Sequence, residues 1–181
     1  MNVEKTQIDD VLQITPDIHK DDRGYFFESF NDKDFLSLSG IKFKPLQDNQ
    51  SFSKQGTLRG LHFQIKPMAQ AKIIQVLDGE IYDVAVDMRR DSNTYCQWVA
   101  KYLSSDNHKQ LYIPEGFAHG FLVMSDCATV VYKVNNYYSP EHERVVRYDD
   151  PRINIEWPSS NPILSKRDSS ADFIREESTF F

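Results

Sequence analysis

The stretch GEIYDVAVDM at 79–88 alternates along its length, with Tyr82, Val84, Val86 and Met88 on one side and Ile81, Asp83, Ala85 and Asp87 on the other. Successive side chains of an extended backbone point to opposite faces, so sustained period two predicts a strand. Similar short β-rich runs occur at 11–15, 24–30, 58–65, 72–77, 95–103, 110–113, 120–124 and 128–135. Turn signals such as Asp78-Gly79 and Pro114-Glu115-Gly116 separate several of them. One helix is expected at 32–39, DKDFLSLS, with short helical turns after 150. Many short strands and few helices predict an all-β sandwich or barrel, most simply a jelly roll. A chain of 181 residues without repeats or a Pro/Gly-rich linker fits a single domain over 1–181. The polar tail NPILSKRDSSADFIREESTFF is expected outside the barrel, with ILSKRD able to fold back over it.

A two-residue turn at Asp78-Gly79 would pair Leu77 with Glu80, Val76 with Ile81 and Ile74 with Asp83. Lys72, Ile74 and Val76 would then share a face with Ile81, Asp83 and Ala85, making Lys72 and Asp83 diagonal neighbours. On a rim such a pair is an ordinary salt bridge. Inside a barrel it sits where burial is costly unless a site uses it.

Composition excludes several functions. A net charge of −6 argues against a general nucleic-acid binder, although Arg23, Arg59, Lys72 and Arg167 can still cluster around a local anion. The start, MNVEKTQIDDVLQ, lacks the apolar stretch of a signal peptide, and no segment is long enough to cross a bilayer. The expectation is a cytoplasmic protein with no membrane partner. Cys96 and Cys127 have neither metal-like nor CxxC spacing and read as reduced, packed thiols.

Two histidines stand in suggestive contexts, His62 in RGLHFQIKPMAQAK and His119 in IPEGFAHGF. PEGFAH fits the P-x-G-x-x-H pattern of the second cupin motif, whose histidine can bind a metal inside a small β-barrel. The first motif of metal-binding cupins supplies His-x-His and a nearby glutamate. Here it reads His62-Phe63-Gln64, and IKPMAQA after it holds no carboxylate. Two histidines without partners make a poor transition-metal site, and Lys72 in the same cavity would repel a divalent cation. The reading keeps a cupin-like fold and expects no metal.

The ordered motifs DDRGYFFESF, PLQDNQSFS, GTLRGLHFQ, AQAK, GEIYDVAVDMRRDSNTY, LYIPEGFAHGF, VVYKVNNYYSPEHE, WP and LSKRD span nearly the whole chain. In that order they resemble the dTDP-4-dehydrorhamnose 3,5-epimerases. Gln50 and Phe63 stand where family members often have His or Tyr. The resemblance implies an epimerase without metal or cofactor, acting on dTDP-4-dehydro-6-deoxy-D-glucose. It would invert C3 and C5 to give dTDP-4-dehydro-L-rhamnose, for bacterial surface polysaccharides such as O-antigen. It also implies a homodimer with strands exchanged near the active site.

C3 and C5 both flank the C4 ketone, so loss of either proton gives an enolate on one oxygen, and inversion needs a base on one sugar face and an acid on the other. By resemblance His62 is the base and Asp168 the carboxylate that orients its imidazole, as in a triad. Lys72 would face the developing oxyanion, and Tyr132 would deliver a proton from the far side. Asp83, beside Lys72 by the hairpin argument, would orient the ammonium. Arg23, Arg59 and Arg167 suit the diphosphate. Gln47, Asn49 and Glu28 offer donors and acceptors for thymine or sugar groups, and His119 a hydrogen bond to sugar or phosphate. Tyr138 or its neighbour Tyr137 would stack on thymine, the family pattern favouring Tyr138, and Phe26 and Glu143 complete the binding set. Strict alternation puts Arg59 and His62 on opposite faces of a strand, so either Arg59 precedes regular pairing or it serves the partner subunit.

Three rivals remain at this stage. One is an epimerase that inverts a single centre or uses another 4-keto-deoxysugar nucleotide. The others are a metal-dependent cupin, opposed by the missing ligands, and a non-catalytic sugar-binding module, opposed by the acid, base and lysine together.

Overall fold

A computed structural model describes residues 1–175 and 180–181; the part of the tail at 176–179 lies outside the described residues. The strands are β1 (Asn2–Lys5), β2 (Leu12–Thr15), β3 (His19–Asp21), β4 (Gly24–Phe26) and, after helix α1 (Asp32–Ser39), β5 (Gln47–Lys54) and β6 (Leu58–Gln64). There follow β7 (Lys72–Asp78), β8 (Glu80–Asp87), β9 (Trp98–Ser104), β10 (Gln110–Ile113), β11 (Phe117–Val123), β12 (Cys127–Val134) and β13 (Glu143–Val145), then the short helix α2 (Lys166–Ser169). They form a six-stranded sheet in the order β1-β2-β10-β7-β12-β5, a five-stranded sheet in the order β13-β6-β11-β8-β9, and the small β3–β4 pair. The two large antiparallel sheets enclose the core as a cupin-like jelly roll, as the strand pattern predicts.

The alternation in β8 fits both of its faces. Ile81 and Ala85 point into the space between the sheets, against Ile74, Val76 and Val130 of the facing sheet and Phe117 and Phe121 of the neighbouring strand. Tyr82, Val84, Val86 and Met88 point outward, where Ile153, Ile155, Trp157 and Ile174 cover them. That covering segment is a strap. Its Ile163 bridges to Thr57, and Asp150 Oδ2 accepts the Ile174 backbone N–H at 2.6 Å. Helix α1 spans the residues expected. Asn31 caps it by accepting the Asp34 N–H, Asp32 and Asp34 suit the positive end of its dipole, and Gly40 closes it in the left-handed conformation. Its Phe35 packs against Phe43 and Tyr112 at one end of the sandwich.

The expected hairpin is not formed. β7 pairs with β10 and β12, whereas β8 pairs with β11 and β9, so Asp78-Gly79 turns the chain from one sheet to the other. Gly79 has φ +79°, and a Cβ there would collide with the Cys127 carbonyl oxygen. Lys72, Ile74 and Val76 still confront Ile81, Asp83 and Ala85, but across the interior rather than along one sheet. Four strands differ more simply. β5 is eight residues long, although nothing in QDNQSFSK predicts it, and β1, β3 and β13 are equally unforeseen. β4 ends at Phe26, β9 begins at Trp98 and β11 at Phe117, each a shift from the predicted run. Among the described residues no helix is long and apolar enough to cross a membrane, and Cys96 and Cys127 are free thiols.

Candidate active site

A cavity of about 270 Å³ opens between the two sheets. From the six-stranded sheet come Gln47, Asn49 and Ser51 of β5, Lys72 of β7 and Tyr132 of β12. From the five-stranded sheet come Arg59, His62 and Gln64 of β6, His119 and Phe121 of β11 and Glu143 of β13. Gln70 and Tyr138 line it from loops. The imidazole and the phenol thus stand on opposite walls.

A bulge resolves the conflict over Arg59. His119 pairs with His62 and Phe121 with Arg59, so Gly60 and Leu61 on β6 oppose Gly120 alone on β11. One extra residue turns positions three apart onto the same face. The strands can approach this closely because both carry glycine. Gly60 has φ +141°, and a Cβ on it would lie 2.5 Å from Gly120 Cα. Arg59 is then held by Nε–H to Ser53 Oγ at 2.9 Å and by an Nη2 contact to the Phe52 carbonyl at 3.4 Å.

His62 meets Asp168 across 106 residues of chain, Nε2 to Oδ1 at 2.6 Å. Asp168 is buried in α2, where Ser165 Oγ accepts its backbone N–H. Burial alone would raise this carboxyl, but the His62 imidazole, Ser165 and the Arg167 charge outweigh it and hold it below its usual range. Nε2 is taken by that carboxylate, which leaves Nδ1 as the nitrogen able to exchange a proton with a bound molecule.

Lys72 is buried, and its Nζ donates to the His62 carbonyl at 3.3 Å. Burial brings its ammonium down to about 8, against the opposing pull of Glu143 and Asp83. Asp83 makes no direct ion pair with Lys72; its Oδ1 lies 2.7 Å from His119 Nε2 instead. The physical reason is the corner at Asp78-Gly79, which puts the two residues on facing sheets rather than on adjacent strands. Tyr132 is half-buried, and burial raises its phenol, with Arg59 acting in the opposite sense and Glu143 in the same one. At neutral pH it is a proton-bearing group.

At the mouth, Tyr138 donates its hydroxyl to Glu143 Oε2 at 2.7 Å, and Arg167 binds the same oxygen at 2.6 Å. Gln47 accepts the Tyr138 N–H at 3.1 Å and donates to Asn49 at 2.8 Å. Gln64, the last residue of GTLRGLHFQ, has no role by resemblance. Its amide accepts the Ser139 N–H at 2.6 Å and donates to the Met68 and Tyr137 carbonyls, which fixes the loop that carries Tyr138. Ser51, Gln70 and Phe121 also line the cavity; each lies inside one of the ordered motifs, PLQDNQSFS, AQAK and LYIPEGFAHGF, which give it no role, and alternation along β5 puts Ser51 on the face of Gln47 and Asn49.

Three expected site residues lie elsewhere. Arg23 and Phe26 sit on the β3–β4 pair, with Arg23 bound to Asp21 at 2.5 Å and Phe26 67% exposed. They line a separate surface hollow with His19, Lys20 and Tyr25. Glu28 is exposed, 3.5 Å from the Asn31 amide. The β3–β4 hairpin pairs with neither large sheet, so none of the three lines this chain's cavity. Among the described residues no group of three or more His, Cys, Asp or Glu side chains is arranged to hold a metal ion.

The family model for dTDP-4-dehydrorhamnose 3,5-epimerase matches residues 5–176. A dTDP-4-dehydrorhamnose 3,5-epimerase from Shigella flexneri is 53% identical over 168 residues, 93% of each chain. The crystal structure of a dTDP-6-deoxy-D-glucose-3,5-epimerase from Legionella pneumophila, in complex with dTDP-4-keto-L-rhamnose, is 46% identical and covers 95% of this chain and 92% of that one, with a TM-score of 0.91. A dTDP-4-dehydrorhamnose 3,5-epimerase from Bacillus anthracis, with TDP and PPi bound, is likewise 46% identical, with a TM-score of 0.92 and coverage of 96% and 99%.

Proposed function

Because the chain belongs to the dTDP-4-dehydrorhamnose 3,5-epimerase family, we propose that its cavity carries out that epimerisation and that its proton carriers are His62 and Tyr132. It is an isomerase, converting dTDP-4-dehydro-6-deoxy-D-glucose to dTDP-4-dehydro-L-rhamnose in rhamnose synthesis. One observation carries the assignment of roles: a carboxylate-bound imidazole and a protonated phenol confront each other from opposite walls of one cavity. A sugar held between them offers one face to each, which is what inversion requires.

His62 removes the proton at C3 or C5, and Asp168 stabilises the imidazolium that results. Electron density moves onto the C4 oxygen, where the Lys72 ammonium meets it. Tyr132 then protonates the same carbon from the far side. Arg59 binds the diphosphate, joined by Arg167 at the mouth. Gln47, Asn49 and His119 hold sugar or nucleotide groups, and Tyr138, tied to Glu143, stacks on thymine. Asp83 acts behind Lys72. This chemistry uses no cofactor or metal.

Arg23, Phe26 and Glu28 serve the site of a second copy in a homodimer, which their exposure and distance from the chain's own cavity support. The whole chain acts as one domain, and two free thiols fit a reducing cytoplasm.

Proton NMR of the sugar nucleotide with the protein in D2O tests the reading. Deuterium is expected at both C3 and C5 with inversion at each. Exchange at one position alone would mark a single-centre epimerase, and none at either would overturn the assignment. Tyr132→Phe is expected to keep some exchange while forming little inverted sugar, and His62→Asn to lose both.

A further inference from the structure

Asp83 has no exposed surface. His119 holds one of its oxygens, while Oδ2 is buried without a hydrogen-bond partner, a condition that only Ser51 Oγ shares among the described residues. A carboxylate so placed is costly unless its charge is answered nearby.

The cation that answers it is on the facing sheet. Lys72 shares its cavity with His62 and Arg59 from β6, Tyr132 from β12, His119 from β11 and Glu143 from β13, while Asp83 of β8, outside the lining, still acts on its charge. Two of these are carboxylates that favour its charged form. Glu143 already has a counterion, since Arg167 and Tyr138 both bind its Oε2. Asp83 has none except through space. His119 is a poor counterion itself, because burial, aided by the Lys72 and His62 charges, lowers its imidazole against the pull of Asp83. A neutral His119 carries its proton on Nε2, toward Asp83, so the pair holds one proton and a single negative charge.

The cavity is therefore lined by two histidines on adjacent strands, each tied to an aspartate behind it, and His62 lies directly across from His119 in the register. The two pairs are built in opposite senses. Asp168 is held low beside a half-exposed imidazole, whereas Asp83 is raised, chiefly by burial, beside a buried one. The first suits a base that must gain a proton. The second suits a fixed charge only because His119 and Lys72 oppose the burial that would neutralise it.

We propose that Asp83 and His119 act as one buried anionic pair that keeps the Lys72 ammonium charged, with His119 donating its Nε2–H to keep Asp83 a carboxylate. In this scheme Asp83 is a positioning residue acting through Lys72, and His119 adds that role to the substrate contact already assigned to it. The inference rests on the reading of Lys72 as the cation at the enolate oxygen.

The test follows Lys72 itself, by NMR of protein labelled with ¹⁵N-lysine, alongside pH profiles of kcat. In the unaltered protein the Lys72 signal is expected to titrate near pH 8, and kcat to fall across the same range. Asp83→Asn is expected to lower that midpoint by about one pH unit or more, a roughly tenfold change in the ammonium's acidity. The kcat limb should move with it, while dTDP affinity, measured by calorimetry, stays put. His119→Phe removes the donor and should shift the midpoint the same way. His119→Gln keeps an N–H near the carboxylate and should hold the midpoint in place, whatever its rate. These two variants carry the comparison if Asp83→Asn does not fold. An unmoved midpoint in Asp83→Asn, or equal shifts in His119→Gln and His119→Phe, overturns the pair. An unaltered protein that does not epimerise overturns the epimerase reading instead, and with it the purpose assigned to Lys72.

Discussion

At the scale of a single residue, Lys72 shows how far a site can work against the fold that holds it. Its ammonium ionises near pH 8 in the folded protein and near 10.5 in the unfolded chain. Between those values the unfolded state binds more protons, so stability rises with pH across that window and the cost is complete below it. At neutral pH the penalty is about 3 kcal/mol, from roughly 1.4 kcal/mol per pH unit. Lys72→Met removes the charge and keeps the stem. It is expected to melt at a higher temperature than the parent at pH 7, with the difference shrinking toward pH 10. Its kcat should fall by about 10²–10³, because the lost cation acts on charge that exists only during reaction. A raised KM with normal kcat would make Lys72 a binding residue.

At the scale of the element, the bulge in β6 decides which side chains meet. Gly60→Ala must meet both a left-handed φ and the backbone of Gly120, and is expected to cost about 2 kcal/mol or more in denaturant melts. If the strand relaxes to plain alternation, Arg59 turns away from His62, and dTDP affinity should fall more than kcat. The sequence carried only part of this. Alternation revealed β8, β7 and β12 because both faces of one and the inner faces of the others meet apolar neighbours. It hid β5, whose inward residues Gln47, Asn49 and Ser51 line the polar cavity rather than the core, and whose Ser53 is buried against Arg59. Asp78-Gly79 announced a turn correctly, yet a positive φ at glycine says nothing about whether the flanking strands pair. His62, Lys72 and Tyr132 were legible as motif members. The meeting of Asp168 with His62 was not, since it depends on a strap fastened at Ile163 and Asp150 by contacts distant in sequence.

At the scale of the whole molecule, the β3–β4 pair and the cavity are complementary parts set apart on one chain. If the pair completes the site of a second copy, Arg23→Ala and His62→Asn should each be nearly inactive alone. In a remixed dimer the Arg23→Ala subunit keeps its His62 and receives an intact Arg23 from its partner. Mixing is then expected to restore up to about a quarter of the parent activity, one sound site in each hybrid dimer. No recovery, in a mixture that size-exclusion chromatography shows to be dimeric, would mean that each hairpin serves its own chain. The strap has a consequence in time as well as space. Asp168 is synthesised after the strands that carry His62, Lys72 and Tyr132 and together with the strap that covers β8, so the carboxylate that arms the base arrives with the segment that closes the outer face.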